Sequence, residues 1–256
     1  MSRIRLPGSR GAHRGGWPFQ RSIAMFFLVA GMGLLALAQP EVPFGSQVTH
    51  GPRDVDAVAL TFDDGLNGRY TLDVARALED RDATGTFFAV SRTLVGQPEV
   101  AATLIDHGHL LASHSADHRN PSLSNDPMYG KLGQAQREFA AVTGKCPRFY
   151  RPPHGVRTPM VSLAVSRAGM QLVNWDVEVR DWDATDPRDL ANRVLSKIER
   201  GSIVLLHDGR DGRPGKDRSV LVQALPLILD GLQARGLRAV RLDELLGTTG
   251  YLDHCS

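Results

Sequence analysis

Short apolar runs alternate with amphipathic stretches along the chain from about residue 57. The apolar runs have the length of buried strands, and the stretches between them favour helices with one face against a sheet. The runs that predict strands are 57–62, 85–90, 109–113, 148–150, 171–175, 202–207 and 238–240. The stretches that predict helices lie near 71–79, 99–107, 127–142 and 220–234, and two more begin at Thr158-Pro159 and Asp186-Pro187, where a capping residue precedes a proline.

This alternation predicts a parallel sheet covered by helices. About seven strand–helix units suit one barrel-like α/β domain, which we place at residues 55–247. Residues 39–54, which are rich in proline and glycine, predict a linker, and residues 248–256 predict a short C-terminal tail.

The N-terminus has the pattern of an export signal. Residues 1–21 contain five arginines and no acidic residue, and residues 22–38 carry no charge. The tripeptide Ala36-Leu37-Ala38 offers a cleavage site. At 17 residues the apolar segment is at the lower limit for spanning a bilayer, so residues 1–38 are either a cleaved signal peptide or an uncleaved membrane anchor. In both cases we expect the body of the protein to be secreted or held at the outer side of the cytoplasmic membrane or cell wall.

Charge and cysteine content narrow the function classes. Without the five leader arginines, 25 Lys and Arg face 28 Asp and Glu, a net charge of −3, which argues against a nucleic-acid partner. A hydrophobic content of 42% fits a globular domain, and only the N-terminal segment suggests contact with a membrane.

Cys146 and Cys255 could pair in an exported protein, but the sequence gives no distance, and two free thiols remain an equal alternative. Nothing in the sequence predicts an oligomeric state.

Charged, aromatic and imidazole side chains follow five of the predicted strands. They are Asp63 and Asp64 after the first strand, His114 and His118 after the third, Arg151 after the fourth, Asp181 and Trp182 after the fifth, and His207 at the end of the sixth. Because the carboxyl ends of parallel strands meet at one edge of the sheet, we expect these groups to form one site.

The histidine pair and the aspartate pair together predict a metal site. His114 and His118 are four residues apart, so that both rings would lie on the same side of a helical turn. Two imidazoles and one carboxylate form a three-ligand site with an open position, as in catalytic divalent-metal centres. A surface helix can show the same histidine spacing without a metal, and the nearby aspartates favour the metal site.

The two adjacent aspartates are expected to take two roles. Gly65 permits a tight turn that can aim both carboxylates into one cleft. One of them can bind the metal, which cancels its charge and removes most of the repulsion between the pair. The other carboxylate is then free to act as a base.

Five motifs in this order resemble the polysaccharide deacetylase family, also described as the NodB-homology domain or carbohydrate esterase family four. They are T-F-D-D-G at 61–65, H-S-x-x-H at 114–118, R-P-P-x-G at 151–155, D-W at 181–182 and L-x-H at 205–207. The resemblance spans about residues 56–246, nearly all of the predicted exported part. It implies a distorted (β/α) barrel with about seven parallel strands, and metal-dependent removal of acetyl groups from carbohydrate.

The resemblance also implies which residues hold the metal and activate water. Asp64, His114 and His118 would hold the metal, usually zinc, with cobalt or nickel as substitutes. Asp63 would be the general base. Arg151 would pair with Asp63 and keep it ionised, the alternative being a surface ion pair.

The remaining site residues are assigned by the same resemblance. His207 would be the general acid for the leaving amine, with Asp181 holding it charged; the alternative is a buried histidine without chemistry. Trp182 and Leu205 would line a pocket for the methyl group of the acetyl group; the alternative is that they are simply core residues. The predicted substrate contacts also include Pro153 and His154, and the backbone N–H of His154 would help to form an oxyanion hole.

Three positions depart from the common family pattern. Leu110 stands where many members have Glu, His154 replaces the usual Tyr, and Glu178 sits where Asp is common. None is a predicted metal ligand or proton-transfer group, so these departures bear on specificity and not on catalysis.

The predicted activity is removal of N-acetyl groups from an amino-sugar polymer by a single catalytic domain. Because the leader places the domain at the cell envelope, peptidoglycan is the favoured substrate, followed by chitin-like oligosaccharides. An alternative activity is O-deacetylation of acetylated xylan. An alternative of another class is a non-catalytic glycan-binding module, which would be expected to lack a metal ligand or the base.

Overall fold

Short strands separated by helices make up the part of the chain that the computed structural model describes, residues 47–120 and 128–255. The strands are β1 (Ala57–Asp63), β2 (Thr86–Ala89), β3 (Leu110–Ser113), β4 (Cys146–Pro147), β5 (Phe149–Tyr150), β6 (Gln171–Leu172), β7 (Val177–Glu178), β8 (Ile203–His207), β9 (Arg238–Val240) and β10 (Tyr251–Leu252). The helices are α1 (Arg69–Glu79), α2 (Ser91–Gly96), α3 (Pro98–Asp106), α4 (Met128–Thr143), α5 (Pro159–Arg167), α6 (Pro187–Leu195), α7 (Ser219–Gln233) and α8 (Leu242–Leu245).

One parallel sheet organises the domain. Its spatial order is β6-β5-β3-β2-β1-β8-β7, and β9 pairs with the first half of β1. All strand pairs in this sheet are parallel, so their carboxyl ends share one edge. The sheet curls into a partly closed barrel with helices on its outer face, which confirms the expected distorted (β/α) barrel in a single domain.

Alternation along β1 decides which side chains face the helices and which face the barrel interior. Val58, Leu60 and Phe62 belong to the large apolar cluster formed with the surrounding helices. Ala57 and Ala59 belong to a second cluster on the other face of the sheet. Thr61 and Asp63 continue this inner row, so the strand itself directs Asp63 towards the barrel interior.

Two helices, α5 and α6, start where the sequence predicts capping. The Thr158 side chain accepts a hydrogen bond from the Val161 backbone N–H, and the Asp186 carboxylate accepts from the N–H groups of Arg188 and Asp189. Each cap is followed by proline at the first helical position, where a missing N–H costs nothing. Both predicted starts are confirmed.

The seven predicted strands are present, and several are one or two residues shorter than predicted; residues 171–175 shorten the most, to Gln171–Leu172. The two-residue strands β4, β7 and β10 and the single-turn helix α8 are too short to show a periodicity and are absent from the sequence prediction.

Both ends of the described chain are part of the fold. The residues predicted as a tail instead contribute β10, which pairs antiparallel with β4, and Cys255 forms a disulfide with Cys146. At the other end, Val48 pairs with Val173, although it lies in the predicted linker. The predicted leader, residues 1–38, lies outside the described residues. Within the described residues, no helix combines the length and the apolar character needed to cross a membrane.

Candidate active site

The carboxyl edge of the sheet forms the floor of a cleft of about 400 Å³. Asp63 at the end of β1 is in register with His207 at the end of β8. Ser113 at the end of β3 is likewise in register with Tyr150 at the end of β5, which places the next residues, His114 and Arg151, side by side. The parallel register therefore brings residues from four of the five predicted strand ends together, whereas Asp181 and Trp182 follow β7, a strand that the sequence analysis did not predict.

Asp63 and Asp64 reach the same cleft because the chain changes its backbone conformation between them. Neighbouring side chains on a strand face opposite ways, and Asp63 already points to the barrel interior. Asp64 has a left-handed φ of 74°, which turns its carboxylate back towards the same side. The sequence analysis expected Gly65 to provide this turn, but the left-handed residue is Asp64, one position earlier. Gly65 instead allows close packing, because a Cβ there would lie 2.1 Å from the Asp208 carboxylate.

Asp64, His114 and His118 form a cluster whose ligand atoms all lie within 4.8 Å of one another. The Nε2 atom of His118 is 2.9 Å from Asp64 Oδ1, and the Nε2 atom of His114 is 3.5 Å from the same oxygen. Among the described residues, this is the group of acidic, histidine and cysteine side chains with metal-site spacing. The three predicted ligands are therefore brought together.

The histidine pair is not on a helical turn, which corrects the sequence expectation. Residues 114–118 form a bend, in which Ser115 and His118 take left-handed φ values of 73° and 58°. The Ser115 Oγ atom accepts a hydrogen bond from the His118 backbone N–H at 3.0 Å and closes the bend. The two rings meet with centroids 5.1 Å apart. Backbone strain of this kind concentrates at functional sites.

The donor set of this cluster fits a divalent metal. The Arg151 carbonyl can only accept a hydrogen bond, so His114 Nδ1, 2.8 Å away, carries the proton and leaves the Nε2 lone pair of the neutral ring facing Asp64. Asp64 Oδ1 is buried and makes no well-directed hydrogen bond with a described residue, although His118 Nε2 lies 2.9 Å away. A carboxylate oxygen and two imidazole nitrogens that converge in this way are the arrangement that a cation satisfies when both rings are neutral.

Electrostatics at the cluster also favour a positive charge. Burial alone would raise the pKa of Asp64, but the neighbouring His114 and His118 outweigh it and hold the pKa far below its usual range. Burial would likewise lower the pKa of His114, but the charges of Asp63 and Asp64 raise it. The two carboxylates therefore favour a positive charge at this place: a protonated His114 supplies it when no metal is bound, and a bound cation would supply it and leave the ring neutral.

Asp63 is held by Arg151 and not by the histidine cluster. The Arg151 Nη1 atom donates to Asp63 Oδ1 at 2.7 Å and to Thr61 Oγ1 at 2.8 Å, while Nη2 donates to the Asn174 carbonyl at 2.9 Å. The Arg151 side chain is fully buried, and its guanidinium carbon lies 4.1 Å from the centre of the Phe88 ring. The alternative of a surface ion pair for Arg151 is therefore wrong.

His207 is tied to Asp181 by two hydrogen bonds. Its Nδ1 is 2.8 Å from Asp181 Oδ1, and its backbone N–H donates to Asp181 Oδ2 at 2.9 Å. Burial would lower the pKa of the ring, but Asp181, with Asp63 and Asp64, raises it to about 9. The imidazole lines the cleft as a cation at neutral pH, so it can donate a proton there.

The predicted substrate contacts divide into residues inside and outside the cleft. Trp182, Leu205 and His154 line it, with Trp182 43% exposed and its ring set edge-on to His207. Pro153 is buried and does not line the cleft, which corrects its placement as a substrate contact. It sits instead in the turn that presents His154, whose φ of 59° is left-handed.

The three departures from the family pattern lie in different surroundings. Leu110 is buried in the inner apolar cluster, where a charged side chain would be costly. Glu178 lines the cleft and accepts a hydrogen bond from Trp175 Nε1 at 3.2 Å. The His154 ring lies 4.9 Å from that of His118. Two of the three changes therefore alter the cleft wall.

The loop after β8 contributes cleft residues that the sequence analysis did not identify. Arg210, Asp211, Lys216 and Arg218 all line the cleft. The Asp211 backbone N–H donates to Asp64 Oδ2 at 2.9 Å, and its carboxylate lies 3.6 Å from His118 Nδ1. The only available signal was the position of this charged, glycine-rich segment directly after a strand end.

Arg92 ties this loop to the segment that carries the histidines. Its side chain donates to the carbonyls of Asp211 at 2.9 Å, Gly212 at 3.2 Å and Asp117 at 3.4 Å. Since Asp211 contacts Asp64 and His118, the two loops and the end of β1 are held as one unit.

Comparison with known proteins agrees with this geometry. The sequence profile described as polysaccharide deacetylase matches residues 50–173. A chitooligosaccharide deacetylase of Bradyrhizobium sp. (strain ANU 289) is 33% identical over 74% of this chain and 90% of its own length. A peptidoglycan-N-acetylglucosamine deacetylase of Bacillus cereus is 32% identical over 80% of this chain and 94% of its own length.

The fold is also similar to solved structures. The crystal structure of the Bc1960 peptidoglycan N-acetylglucosamine deacetylase, in complex with an N-hydroxybenzamide compound, superposes with a TM-score of 0.74 at 26% identity. The match covers 80% of this chain and 94% of that one. These similarities favour an enzyme over the non-catalytic glycan-binding alternative. The five motifs meet at the carboxyl edge of the sheet, and the two relatives named above are matched over nearly their whole length. The chain therefore belongs to the polysaccharide deacetylase family and is a polysaccharide deacetylase.

Proposed function

We propose that this protein removes N-acetyl groups from an amino-sugar polymer of the cell envelope, with peptidoglycan as the favoured substrate. The observation that carries the proposal is the combination of a three-ligand cluster, a buried carboxylate and a cationic histidine in one cleft. Amide hydrolysis needs both an activated water and a proton for the departing nitrogen. The cleft offers a separate group for each task.

Asp64, His114 and His118 would hold a divalent metal, for which zinc is favoured because two imidazoles and a carboxylate are typical of catalytic zinc sites. Cobalt or nickel would be substitutes. A metal bound here would lower the pKa of a water molecule and polarise the acetyl carbonyl.

Asp63 would take the proton from the attacking water. Its Oδ1 is occupied by Arg151, so Oδ2, which lies 3.8 Å from His114 Nε2, is the oxygen that faces the cluster. The Arg151 contacts favour the ionised form that a base requires and fix the orientation of the carboxylate. A buried arginine with four partners is pre-organised for this purpose.

His207 would give a proton to the departing nitrogen. Asp181 occupies Nδ1, so Nε2 is the nitrogen left to face the substrate, and the raised pKa keeps the ring protonated at neutral pH. Trp182 and Leu205 would enclose the acetyl methyl group, and the backbone N–H of His154 would support the developing oxyanion.

The location of this activity is proposed from the N-terminal sequence. The arginine-rich start and the uncharged residues 22–38 favour export, and an exported deacetylase meets acetylated glycans outside the cytoplasmic membrane. The named activities of the Bacillus cereus and Bradyrhizobium relatives support amino-sugar substrates.

The proposal is tested by measuring acetate release from purified peptidoglycan, N-acetylated chitin oligomers and acetylated xylan. Each reaction is run after chelation and again after adding zinc. We expect zinc-dependent release from the two amino-sugar polymers and little from xylan. Release from xylan alone would replace the proposal with O-deacetylation, and equal release with and without metal would remove the metal from the mechanism.

A further inference from the structure

The cleft has two chemically different walls. One wall carries Trp175, Trp182 and Leu205, which suit the apolar faces of sugar rings and the acetyl methyl group, together with the Glu178 carboxylate. The other wall is the loop after β8, which contributes Arg210, Asp211, Lys216 and Arg218 to the lining, with the Asp211 carboxylate next to His118. Three cations on one wall have no function in the hydrolysis described above.

Two of these cations are available to a ligand. Arg218 is buried and its guanidinium donates to the Gly209 carbonyl, so it serves the loop itself. The Arg210 side chain is 61% exposed, and its ion-pair partner among the described residues is Asp211 at 3.8 Å. Lys216 is exposed. Its backbone carbonyl accepts a hydrogen bond from the Asn67 side-chain amide, and this bond does not involve the Lys216 ammonium group. Among the described residues, the long, exposed contact of Arg210 with Asp211 is therefore the ion pair to which either head group contributes.

The backbone of this loop is nevertheless held firmly. Asn67 Oδ1 accepts a hydrogen bond from the Gly215 N–H at 2.6 Å, and Arg92 binds the carbonyls of Asp211 and Gly212. The side chains of Arg210 and Lys216 therefore project from a firmly held loop backbone into the same cleft as the Asp64, His114 and His118 cluster. A fixed cationic wall selects for charge at a defined distance from the reacting group.

We propose that Arg210 and Lys216 form a subsite for a carboxylate on the sugar next to the one that is deacetylated. This inference rests on the proposed function and deepens it. A homopolymer of N-acetylglucosamine is neutral and offers these cations no partner. In peptidoglycan strands that have lost their stem peptides, every second sugar carries a lactyl ether with a free carboxylate, which is the class of group that guanidinium and ammonium cations bind. The wall therefore favours an alternating, anionic glycan over a neutral one.

The test compares two forms of the same polymer. Peptidoglycan glycan strands freed of their peptides carry lactyl carboxylates, and conversion of these to methyl amides removes the charge with little change in shape. For the wild-type protein, we expect a higher kcat/KM on the anionic strands than on the amidated strands. In Arg210→Gln/Lys216→Gln, this ratio should fall about five- to twentyfold, since each exposed ion pair contributes at most about a fivefold factor.

Matched variants separate charge from other effects. Arg213→Gln removes an exposed cation of the same loop that does not line the cleft, and it should leave the ratio unchanged. Arg210→Lys/Lys216→Arg retains both charges and should retain most of the preference. Raising the salt concentration should lower the wild-type ratio and leave that of Arg210→Gln/Lys216→Gln unaffected. A ratio that is unchanged in the double Gln variant, or equally reduced in Arg213→Gln, would overturn the subsite.

Failure of the subsite can be told apart from failure of the proposed function. Loss of the charge preference with continued acetate release would overturn the subsite alone. If no N-acetylated glycan is hydrolysed, the proposed function fails, and the subsite is then tested by calorimetric binding of the anionic strands to Asp63→Asn. Binding that weakens when the two Gln substitutions are added supports the subsite, and binding that does not weaken contradicts it.

Discussion

His207 and His109 are both histidines with a carboxylate neighbour, but they lie at opposite edges of the parallel sheet. His207 ends β8 at the carboxyl edge and contacts Asp181. His109 directly precedes β3 at the amino edge, and its Nε2 lies 3.1 Å from Glu79 Oε1. The pKa of His207 is raised to about 9, whereas burial lowers the pKa of His109 below its ordinary value despite Glu79.

The second ring nitrogen explains the difference between the two. His109 Nδ1 accepts a hydrogen bond from the Gly85 N–H at 3.1 Å, so a proton on Nδ1 would face another donor. His107 and Arg241 nearby add positive charge that also opposes protonation. In His207, Nδ1 faces the Asp181 carboxylate, and the negative charges of Asp63 and Asp64 raise the pKa of the ring further. A carboxylate neighbour alone therefore does not make a histidine a proton donor; the partners of both nitrogens decide.

Replacing a histidine at each edge of the sheet should give the largest difference in metal content and in acetate release. His114→Ala deletes one of three ligand atoms and should abolish most metal binding, with activity falling to that of chelator-treated protein. His109→Ala should keep both metal and turnover, because His109 lies at the other edge. Elemental analysis and acetate release measure the two effects. Undiminished metal in both His114→Ala and Asp64→Ala would contradict the proposed ligand set.

Asp181→Asn should change the pH profile at the carboxyl edge. A general acid works only when protonated, so turnover of an N-acetylated glycan should fall as the pH rises through the pKa of His207, which Asp181 holds above its ordinary value. Without the Asp181 charge the pKa of His207 should drop, and the falling limb should move to lower pH. At pH 8 we expect a loss of about tenfold or more if the pKa approaches its ordinary value. An unmoved limb would show that Asp181 does not hold the charge of His207.

His109→Ala should have a smaller effect, confined to stability. The substitution leaves the buried Gly85 N–H without its acceptor, which costs about 1–3 kcal/mol in the free energy of unfolding. Urea unfolding measures this cost, and kcat/KM of the folded fraction should be unchanged. A large loss of activity without loss of stability would instead give the amino edge a catalytic role.

The two histidines also predict opposite pH dependences of stability. The folded pKa of His109 is lowered, so the unfolded chain binds protons more readily and the wild type loses stability as the pH falls below about 6.5. The folded pKa of His207 is raised, so its contribution is present below about pH 6.5 and is lost as the pH rises through about 9. Unfolding free energies of wild type and His109→Ala between pH 5 and 9 isolate the first effect, which should be missing in the variant.

The strands and the strand-end residues could be predicted because they follow simple periodicities. Alternation along β1 places Asp63 on the inner face, and parallel register then brings His207, His114 and Arg151 beside it. The starts of the two capped helices follow from a Thr-Pro and an Asp-Pro pair, because each cap bonds only to N–H groups two or three residues further along the chain. Short-range rules of this kind are visible in the sequence.

Features that depend on single backbone conformations or long-range approach could not be predicted. The left-handed φ of Asp64 and the bend at Ser115 replace the glycine turn and the helical turn expected from spacing. Pairing of Cys146 with Cys255 depends on β10 returning to β4 across 109 residues. Asp211 lies in a polar loop without periodicity, and only its contacts with Asp64 and His118 place it in the site.

The most direct test of the account measures kcat/KM of His207→Ala and Asp63→Ala on an N-acetylated sugar and on an activated aryl acetate. Nitrogen must gain a proton as the amide bond opens, whereas a phenolate leaves without one, and both substrates need the activated water. With metal content shown to be unchanged, His207→Ala should lose about 10²–10⁴-fold on the N-acetylated sugar and much less on the aryl acetate, while Asp63→Ala should lose heavily on both. Equal losses on the two substrates for His207→Ala would contradict its role as the proton donor that distinguishes the carboxyl edge of this sheet.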